Sequence, residues 1–450
     1  MKLSRFMLCA VLIVATVLSA CSSPAPPPVA ESQSSAASSA SSETPVSDGL
    51  GPADITFWVL DSAMMGSIEP IWENFNNDYP DINVELVPLP WNESSARLQT
   101  AAASDTLPDA STTIAAYTST LLQLDVVENL NPYFENFSQK DSIMEGLLNY
   151  IKQIDGTGEN LWYLPTYITS GSIWYRKDWF EEAGLERFVT MDDFFNAIET
   201  LTGDGRYGFG FRGGPGNVYT VVPFITIYSD EESIIDENGQ CIYSKPIALE
   251  AFERFMSIPA NDWAPPTSIN NSFAELANEL ANGVTAMYWH HFGSLPMILE
   301  TLPIEKLGWA PLPVNNAGRR MTGVEPHGLQ MYKSSKYKQE TFEFISYMLR
   351  ADQMEYFVAN SGGIPANTDT DLSKYPFYSD VMESLMDEYT HYVYKPGEPF
   401  YLPEWAAYKD EVMFADIQAI MLGENTCEAV LAKWAKDIQA MQDKYEAENP

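Results

Sequence analysis

The chain has 450 residues, of which 45% are hydrophobic and 13% aromatic, so it is long enough for two or three domains and too apolar to be mainly disordered. It carries 62 Asp and Glu against 25 Lys and Arg, a formal net charge of −37 at pH 7. A surface this negative repels phosphate backbones and anionic lipid headgroups, which argues against nucleic-acid binding and against membrane adhesion through basic patches. Four cysteines are too few for a disulfide scaffold.

The first 21 residues predict an export signal that ends in a lipidation site. Lys2 and Arg5 precede an uncharged stretch, 6–20, that is too short for a comfortable span of a bilayer. The stretch ends in Leu-Ser-Ala before Cys21, which resembles the bacterial lipobox, where the prolipoprotein is cut just before a lipidated cysteine. We therefore expect 1–20 to be a lipoprotein signal peptide and Cys21 to carry the lipid. The alternative is an ordinary signal peptide with a cysteine at this place.

Residues 22–50 predict a flexible tether. They include 10 Ser, 5 Ala and 5 Pro, and no aromatic or basic residue. Such a segment buries too little surface to offset its ordering entropy. A lipidated cysteine with a tether, 21–50, would hold a folded domain at the outer face of a bacterial membrane. The spacing of Cys241 and Cys427 does not decide whether they pair.

The folded part begins with alternating strands and helices. Apolar runs at 55–59, 83–87 and 110–114 predict strands, and 93–103 predicts a helix. Between the first two strands, a helical stripe follows a possible cap at Ser67, and a second stripe near the end predicts a last helix after Thr426. This order predicts an α/β fold with parallel connections, and about 400 folded residues favour two lobes. The two stripes are Ile68, Ile71, Trp72, Phe75 and Tyr79, and Val430, Leu431, Trp434, Ile438 and Met441.

Short blocks between 54 and 445 carry a family resemblance. In chain order they are NNDYPDINV at 76–84, LPD at 107–109, LWYLP at 161–165, WYRKDWF at 174–180, AGL at 183–185, TMDDF at 190–194, NGVTAM at 282–287, APLP at 310–313 and GGIPA at 362–366. Each block alone is weakly specific, but their ordered combination after a lipobox resembles the extracellular solute-binding proteins of ABC importers, the group that includes maltose-binding protein. Thr190 in TMDDF would cap a helix.

The resemblance implies a two-lobed, type II periplasmic-binding-protein-like fold with a ligand cleft between hinge-linked lobes. It implies three crossings between the lobes, which we place near 165, 322–328 and 361–366. The N-terminal lobe would then comprise 51–165 and 328–360, and the C-terminal lobe 166–327 and 361–450. Binding would proceed by cleft closure on the ligand, without catalysis and without a cofactor, in a monomer that passes its solute to ABC permease subunits.

A carbohydrate is the solute class that we expect. Sugars offer CH faces that stack on aromatic rings and hydroxyl groups that need polar partners. Packing in the core or on the surface is the alternative for each aromatic residue, and it is the expected role of Trp72, Trp309 and Trp434. The candidate binding residues are Trp58, Trp91, Asn92, Asp109, Tyr117, Tyr167, Arg212, Trp289, His290, Glu325, His327 and Trp405.

Two departures from the family pattern predict a pocket with its own shape. Glu325-Pro326-His327 interrupts what is usually a run of glycines, and 289–292 replaces small residues. No metal site is predicted, since His290 and His291 would point to opposite faces of a strand. A peptide, a polyamine or a metal chelate remains open as the solute. An extracellular carbohydrate-active enzyme is the less favoured alternative, because no pair of acids is singled out among the 62.

Overall fold

The computed structural model describes residues 50–170, 172–315, 318, 324–361, 363–373 and 397–449. The predicted signal peptide, Cys21 and nearly all of the tether lie outside these residues. The fold begins with a strand at the start of the described range.

Among the described residues, ten strands form two sheets. They are β1 Ala53–Val59, β2 Ile82–Pro88, β3 Ala110–Thr113, β4 Leu164–Ser170, β5 Ser172–Arg176, β6 Tyr207–Gly210, β7 Thr285–His290, β8 Leu307–Pro311, β9 Val324–Met331 and β10 Ile364–Pro365. The first sheet has the order β10-β4-β9-β3-β1-β2, with β1 parallel to β2 and β3 and the other pairs antiparallel. The second has the order β6-β7-β5-β8, with β6 parallel to β7 and the other pairs antiparallel.

Helices surround both sheets. The α-helices are α1 Met65–Asp78, α2 Trp91–Ala103, α3 Ala115–Leu122, α4 Asn131–Phe134, α5 Glu145–Lys152, α6 Lys177–Ala183, α7 Met191–Thr200, α8 Val218–Tyr228, α9 Pro246–Ala260, α10 Phe273–Ala281, α11 Leu295–Leu299, α12 Lys338–Tyr347, α13 Ala351–Ser361, α14 Trp405–Ala407, α15 Phe414–Met421 and α16 Cys427–Glu448. Short 3-10 helices span Ser62–Met64, Lys140–Ser142, Ile242–Ser244, Pro266–Asn270, Phe292–Ser294 and Ile304–Lys306, and a π-helical turn spans Tyr408–Met413.

The predicted opening of strand, helix, strand, helix, strand is confirmed. The helical stripe works as expected, since Ile68, Ile71 and Phe75 are fully buried against the first sheet. The predicted cap at Ser67 is wrong, because the chain already turns at Asp61, whose carboxylate accepts a hydrogen bond from the backbone N–H of Ala63 (3.0 Å). Ser67 therefore lies buried inside α1.

Two later helix predictions are also confirmed. Thr190 forms a capping box with Asp193 at the start of α7, which satisfies two backbone N–H groups that a helix start leaves unpaired. Thr426 accepts from the N–H of Ala429 at the start of α16 (3.2 Å), and Trp434 of this helix is fully buried and stacks on Phe252. The end of the chain thereby packs on α9 beside the second sheet.

The chain changes sheet next to the predicted crossings. β4 ends the first sheet's segment at Ser170 and β5 starts the second at Ser172, while β8 in the second sheet is followed by β9 in the first. β10 then pairs with β4 in the first sheet, after which α16 packs on elements of the second. The lobe boundaries at 165 and 327 stay predictions. The chain passes from one sheet to the other between Ser170 and Ser172, and again between Pro311 and Val324.

Candidate ligand-binding site

A small cavity lies at the carboxyl ends of β1 and β3, where open α/β sheets bind their ligands. The cavity volume is about 30 Å³, far below the roughly 300–1,000 Å³ of a small-molecule site. A saccharide can enter only if the walls move apart. The lining residues are Leu60, Asp61, Met64, Trp91, Thr112, Thr113, Ile114, Tyr117, Thr166, Tyr167, His327, Gly328, Leu329 and Phe357.

Four of these side chains, Trp91, Tyr117, Tyr167 and His327, form what we call the aromatic cluster. The rings of Tyr167 and His327 stack at 4.7 Å with an interplanar angle of 19°. The Trp91 ring lies 5.3 Å from that of Tyr117 and 6.5 Å from that of His327. Trp91 is 39% exposed, so part of its indole ring is open to a ligand. Sugar CH faces pack on such rings.

The pairing of β4 with β9 brings Tyr167 and His327 together. The two residues are partners across the ladder, next to a β-bulge between Pro165 and Tyr167. A bulge re-aims side chains and is common beside binding sites. The Tyr167 hydroxyl meets Nδ1 of His327 at 3.0 Å, and the Thr166 hydroxyl donates to the His327 carbonyl oxygen (3.1 Å). These bonds hold the His327 ring against the cavity.

A second set of side chains, Arg212, Tyr219 and Lys409, forms what we call the cationic group. The guanidinium carbon of Arg212 lies 5.9 Å from the centre of the Tyr219 ring, and the Lys409 ammonium lies 4.6 Å from it. The Lys409 side chain is 1% exposed and donates to Oε2 of Glu398 (2.7 Å). Cation–π contacts of this kind gain strength when they are desolvated. Two positive charges thereby lie close to the Tyr219 ring.

The loop before α8 fixes the position of Arg212. Its Nε donates to the carbonyl oxygen of Pro215 (2.9 Å), which folds the side chain back over the loop. Gly216 has a φ of +85°, and a Cβ there would lie 2.2 Å from Nη2 of Arg212. Only glycine tolerates this backbone and this approach without strain. The Gly-rich turn therefore serves to seat a guanidinium group.

The two adjacent histidines do not point to opposite faces, so that expectation is wrong. The ring centroids of His290 and His291 lie 4.0 Å apart. The reason is that β7 ends at His290 and the chain turns at once into the 3-10 helix Phe292–Ser294, which ends the strand alternation. Nδ1 of His290 meets the Ser294 hydroxyl at 2.5 Å, and Nδ1 of His291 accepts from the N–H of Gly293 (3.0 Å).

Burial shifts the titration of several site residues. It raises the pKa of Glu325 to about 7, although the charge of Lys409 opposes the shift. It lowers the pKa of His327 to about 3 and that of His291 to about 4. At neutral pH the two imidazoles are uncharged and each can donate or accept a hydrogen bond, as sugar hydroxyl groups require.

Charge effects link the aromatic cluster to the cationic group. Burial raises the pKa of Tyr117, and Tyr219, Glu325 and Asp410 raise it further. Burial likewise lowers the pKa of His327, and the neighbouring His291 lowers it further. The 3-10 helix Phe292–Ser294, which follows His290 and His291, packs against β4. Polar groups from beside the second sheet therefore lie near the first sheet.

The structure brings four of the twelve predicted residues to the cavity, Trp91, Tyr117, Tyr167 and His327. Glu325 lies on β9 two residues before His327, His290 ends β7, and Arg212 lies beside Tyr219. Their role in binding stays a prediction. The side chain of Asn92 lies outside the described residues, although its backbone is part of α2.

Four predicted residues, Trp58, Asp109, Trp289 and Trp405, do not line the cavity. Trp405 is 0% exposed and donates from Nε1 to Glu398 (2.8 Å), so its ring face is not open to a ligand. Every residue of β7 is buried, and Trp289 on this strand is 6% exposed. Its ring packs edge-on against that of Phe255. Trp58 packs on the cluster of Leu60, Leu98 and Tyr332 on a face of the first sheet.

Asp109 has a structural role instead of a cleft position. Its carboxylate accepts from the backbone N–H of Thr56 (2.9 Å) and from the Ser335 hydroxyl (2.7 Å). It precedes β3, whereas the cavity lies beyond the other end of that strand. The carboxylate therefore ties β1 to the segment after β9.

Sequence reasoning missed three residues of the site, Asp61, Tyr219 and Lys409. Asp61 follows β1 directly, and Tyr219 lies in the first turn of α8 after the Gly-rich loop, so their positions after a strand and a loop could have indicated them. Lys409 gave no signal, because a lysine among acidic residues normally predicts an exposed helix face. It lies on the π-helical turn, an irregularity that often occurs at functional sites.

Three further observations concern metals, membranes and thiols. Within the described ranges, no group of three His, Cys, Asp or Glu side chains could hold a metal ion. None of the helices among the described residues is long and apolar enough to cross a membrane. Cys241 is a buried free thiol and Cys427 a partly buried one, which answers the question that their spacing left open.

Comparison with known proteins identifies the family. The family model for bacterial extracellular solute-binding proteins matches residues 62–355, more than half of the chain. A binding protein of Brucella abortus (strain 2308) is 25% identical over 84% of this chain and 90% of its own length. The multiple sugar-binding protein of Streptococcus mutans is 22% identical over 65% of this chain and 70% of its own.

A solved structure confirms the two-lobed α/β fold. Maltose-bound MalE3 of T. maritima superposes with a TM-score of 0.74 at 21% identity, covering 86% of this chain and all of the other. The predicted resemblance is confirmed by the family match, which includes the cavity-lining residues from Met64 to Leu329. The chain belongs to the bacterial extracellular solute-binding proteins.

Proposed function

We propose that this protein captures a carbohydrate outside the cell and delivers it to the permease of an ABC importer. The solute would be an oligosaccharide or a glycoside, held between the aromatic cluster and the cationic group. The protein performs no chemistry in this proposal. Its work is the shift between an open and a closed arrangement of two lobes.

The aromatic cluster is the observation that carries the proposal. Trp91 offers a partly exposed indole ring beside Tyr117, and the neutral imidazole of His327 lies on the same wall. Rings supply the flat apolar surface for a sugar face, while neutral imidazoles and carboxyl groups supply partners for its hydroxyls.

The named ligands of similar proteins support the same class. The Streptococcus mutans relative is named a multiple sugar-binding protein, and the T. maritima structure holds maltose. A carbohydrate-active enzyme is not favoured, because the family model that matches the chain is that of solute-binding proteins.

The way in which the protein is held and moves belongs to the same proposal. Lipid on Cys21 and the tether 21–50 would keep a monomer at the outer face of the cell membrane. The lobes would comprise 51–165 with 328–360, and 166–327 with 361–450. The cavity of about 30 Å³ supports a moving-lobe mechanism, since binding of a saccharide requires a wider opening.

A thermal-shift screen of the full chain tests the proposed function. The panel contains neutral and acidic mono- and oligosaccharides, short peptides, polyamines and metal chelates. A ligand that binds only the folded state raises the melting temperature, by an amount that grows with concentration above the Kd. We expect saccharides to produce the largest rise. A rise with peptides or polyamines alone would contradict the proposal, and turnover of a sugar polymer would support the enzyme.

A further inference from the structure

Arg212 is a partly buried cation without an acidic partner. Among the residues that the structure describes, no carboxylate lies within ion-pair distance of its guanidinium group, and its hydrogen bond runs from Nε to the backbone of Pro215. Arg187 also has no ion pair within the described part of the chain, but it is exposed. Other arginines that pair with Asp or Glu are Arg97, Arg176, Arg206, Arg254 and Arg350.

An unpaired cation of this kind is unexpected in so acidic a chain. With 62 acidic against 25 basic residues, acidic partners are abundant. Burial of a charge without a partner costs free energy, and it lowers the pKa of Arg212 to about 10. The fold nevertheless holds the group in place with the Pro215 bond and with Gly216. The cost is understandable if the partner arrives with the ligand.

A carboxylate that acts on the pKa of Arg212 is already bound elsewhere. The pKa of Arg212 responds to Tyr219 and to Glu275, and the carboxylate of Glu275 is itself bound to the N–H and hydroxyl of Ser272 at the start of α10. The positive charge of Arg212 adds to burial in lowering the pKa of His291.

We propose that Arg212 binds a carboxylate of the solute, so that the carbohydrate is a sugar acid such as a uronate-containing oligosaccharide. This rests on the proposed function and narrows it. Nε is engaged with Pro215, which leaves the two terminal amino groups without an acceptor among the described residues. These two groups match both oxygens of a carboxylate in a forked geometry.

The rest of the site suits the rest of such a ligand. The Tyr219 ring lies beside Arg212, so a sugar ring attached to the bound carboxylate meets an aromatic face.

The test is calorimetric titration of the full chain with matched pairs of disaccharides. Each pair differs by oxidation at C6: α-1,4-digalacturonate against α-1,4-galactobiose, cellobiouronate against cellobiose, and maltobiouronate against maltose. The methyl ester of each acid keeps the bulk of the carboxylate and removes its charge. Tricarballylate serves as a carboxylate that is not a sugar. We expect at least one acid to bind ten times or more tighter than both its neutral partner and its ester.

Substitutions then identify the residue. Arg212→Gln should weaken binding of the acid at least tenfold and leave the affinity for its methyl ester unchanged. Arg212→Lys should retain part of the preference for the acid over the ester, because lysine keeps the positive charge but lacks the forked geometry of the guanidinium group. Arg97→Gln, which removes an exposed arginine paired with Glu93, should bind like the unmodified chain. Thermal unfolding checks the fold, and Arg212→Gln should not lower the melting temperature because it removes an unpaired charge.

The outcomes separate this inference from the proposed function. If a neutral saccharide binds as tightly as its acid, or if Arg212→Gln keeps the preference for the acid, the sugar-acid inference is wrong and the carbohydrate function stands. If tricarballylate binds and no saccharide does, the carbohydrate function is wrong while the carboxylate site at Arg212 stands. If nothing in the panel binds, both are contradicted.

Discussion

Replacement of Trp91 by alanine should weaken ligand binding far more than it weakens the fold. The Trp91 ring is 39% exposed and lies in the first turn of α2, with its ring 5.3 Å from Tyr117. Because its buried contacts are few, we expect a loss of only about 1 kcal/mol in the free energy of unfolding. Truncation of an aromatic anchor in a binding site costs about 2 kcal/mol or more, which corresponds to a Kd raised about 30-fold.

Trp434→Ala is the matched control, because it removes the same side chain from a fully buried position. Its ring stacks on Phe252, and Nε1 donates to Asp416 (2.9 Å), all within the helices beside the second sheet. Loss of a buried tryptophan costs about 3–5 kcal/mol of stability. We expect a Kd like that of the unmodified chain at temperatures where the variant is folded. Trp405→Ala should resemble Trp434→Ala, since Trp405 is buried too.

The assay combines calorimetry, with the saccharide that gives the largest thermal shift, and urea unfolding of each variant. The two measurements separate affinity from stability, which a melting temperature alone would mix. If Trp91→Ala binds with an unchanged Kd, the aromatic cluster is not the surface that holds the sugar. If Trp91→Ala instead loses several kcal/mol of stability with no selective effect on Kd, its role is packing.

Four further predictions test anchoring, motion and titration. Cys21→Ser should abolish incorporation of labelled fatty acid, and a labelled Ser variant would contradict the lipobox. Saturating ligand should reduce the radius of gyration in small-angle scattering with little change in circular dichroism, whereas an unchanged radius would indicate a rigid receptor. The pKa of His327 is lowered to about 3 in the folded chain, so as pH falls the imidazole is protonated first in the unfolded chain. The folded state therefore loses stability as pH falls from about 6.5. In urea titrations, His327→Gln should remove about 2 kcal/mol of the stability loss between pH 6.5 and 5. Glu325 has a pKa raised to about 7, so stability is lost as pH rises from about 4.5 to 7, and Glu325→Gln should flatten this part of the profile; a profile like that of the unmodified chain would refute the buried carboxyl.

Local pattern was sufficient to predict the start and the end of the fold. The stripe of Ile68, Ile71 and Phe75 faces the core as its 3.6-residue spacing requires. The capping box at Thr190 follows from three neighbouring residues, and Thr426 caps α16 in the same way. Helix periodicity and capping depend on residues a few positions apart, so the chain order alone contains that information.

Pairing between distant segments could not be read from such patterns. Tyr167 meets His327 because β4 pairs with β9, 160 residues later, in a register shifted by a bulge. The sequence could not reveal that Glu398 accepts a hydrogen bond from the indole N–H of Trp405 inside the protein. An aromatic residue at the end of a strand or helix can face the cleft or the core, and only the packing decides between them. Six large aromatic residues were predicted to bind the solute, and three of them line the cavity.

The sequence by itself was enough for the α/β class and the family resemblance, because these depend on composition, local periodicity and ordered blocks; the export signal that it indicates stays a prediction. It also singled out Arg212 in its Gly-rich turn. Only the tertiary structure decided that Arg212 has no acidic partner within the described residues, and that Lys409 is buried beneath Tyr219. Whether a charge is compensated depends on the distances between side chains from separate segments, and these distances exist only after the chain has folded.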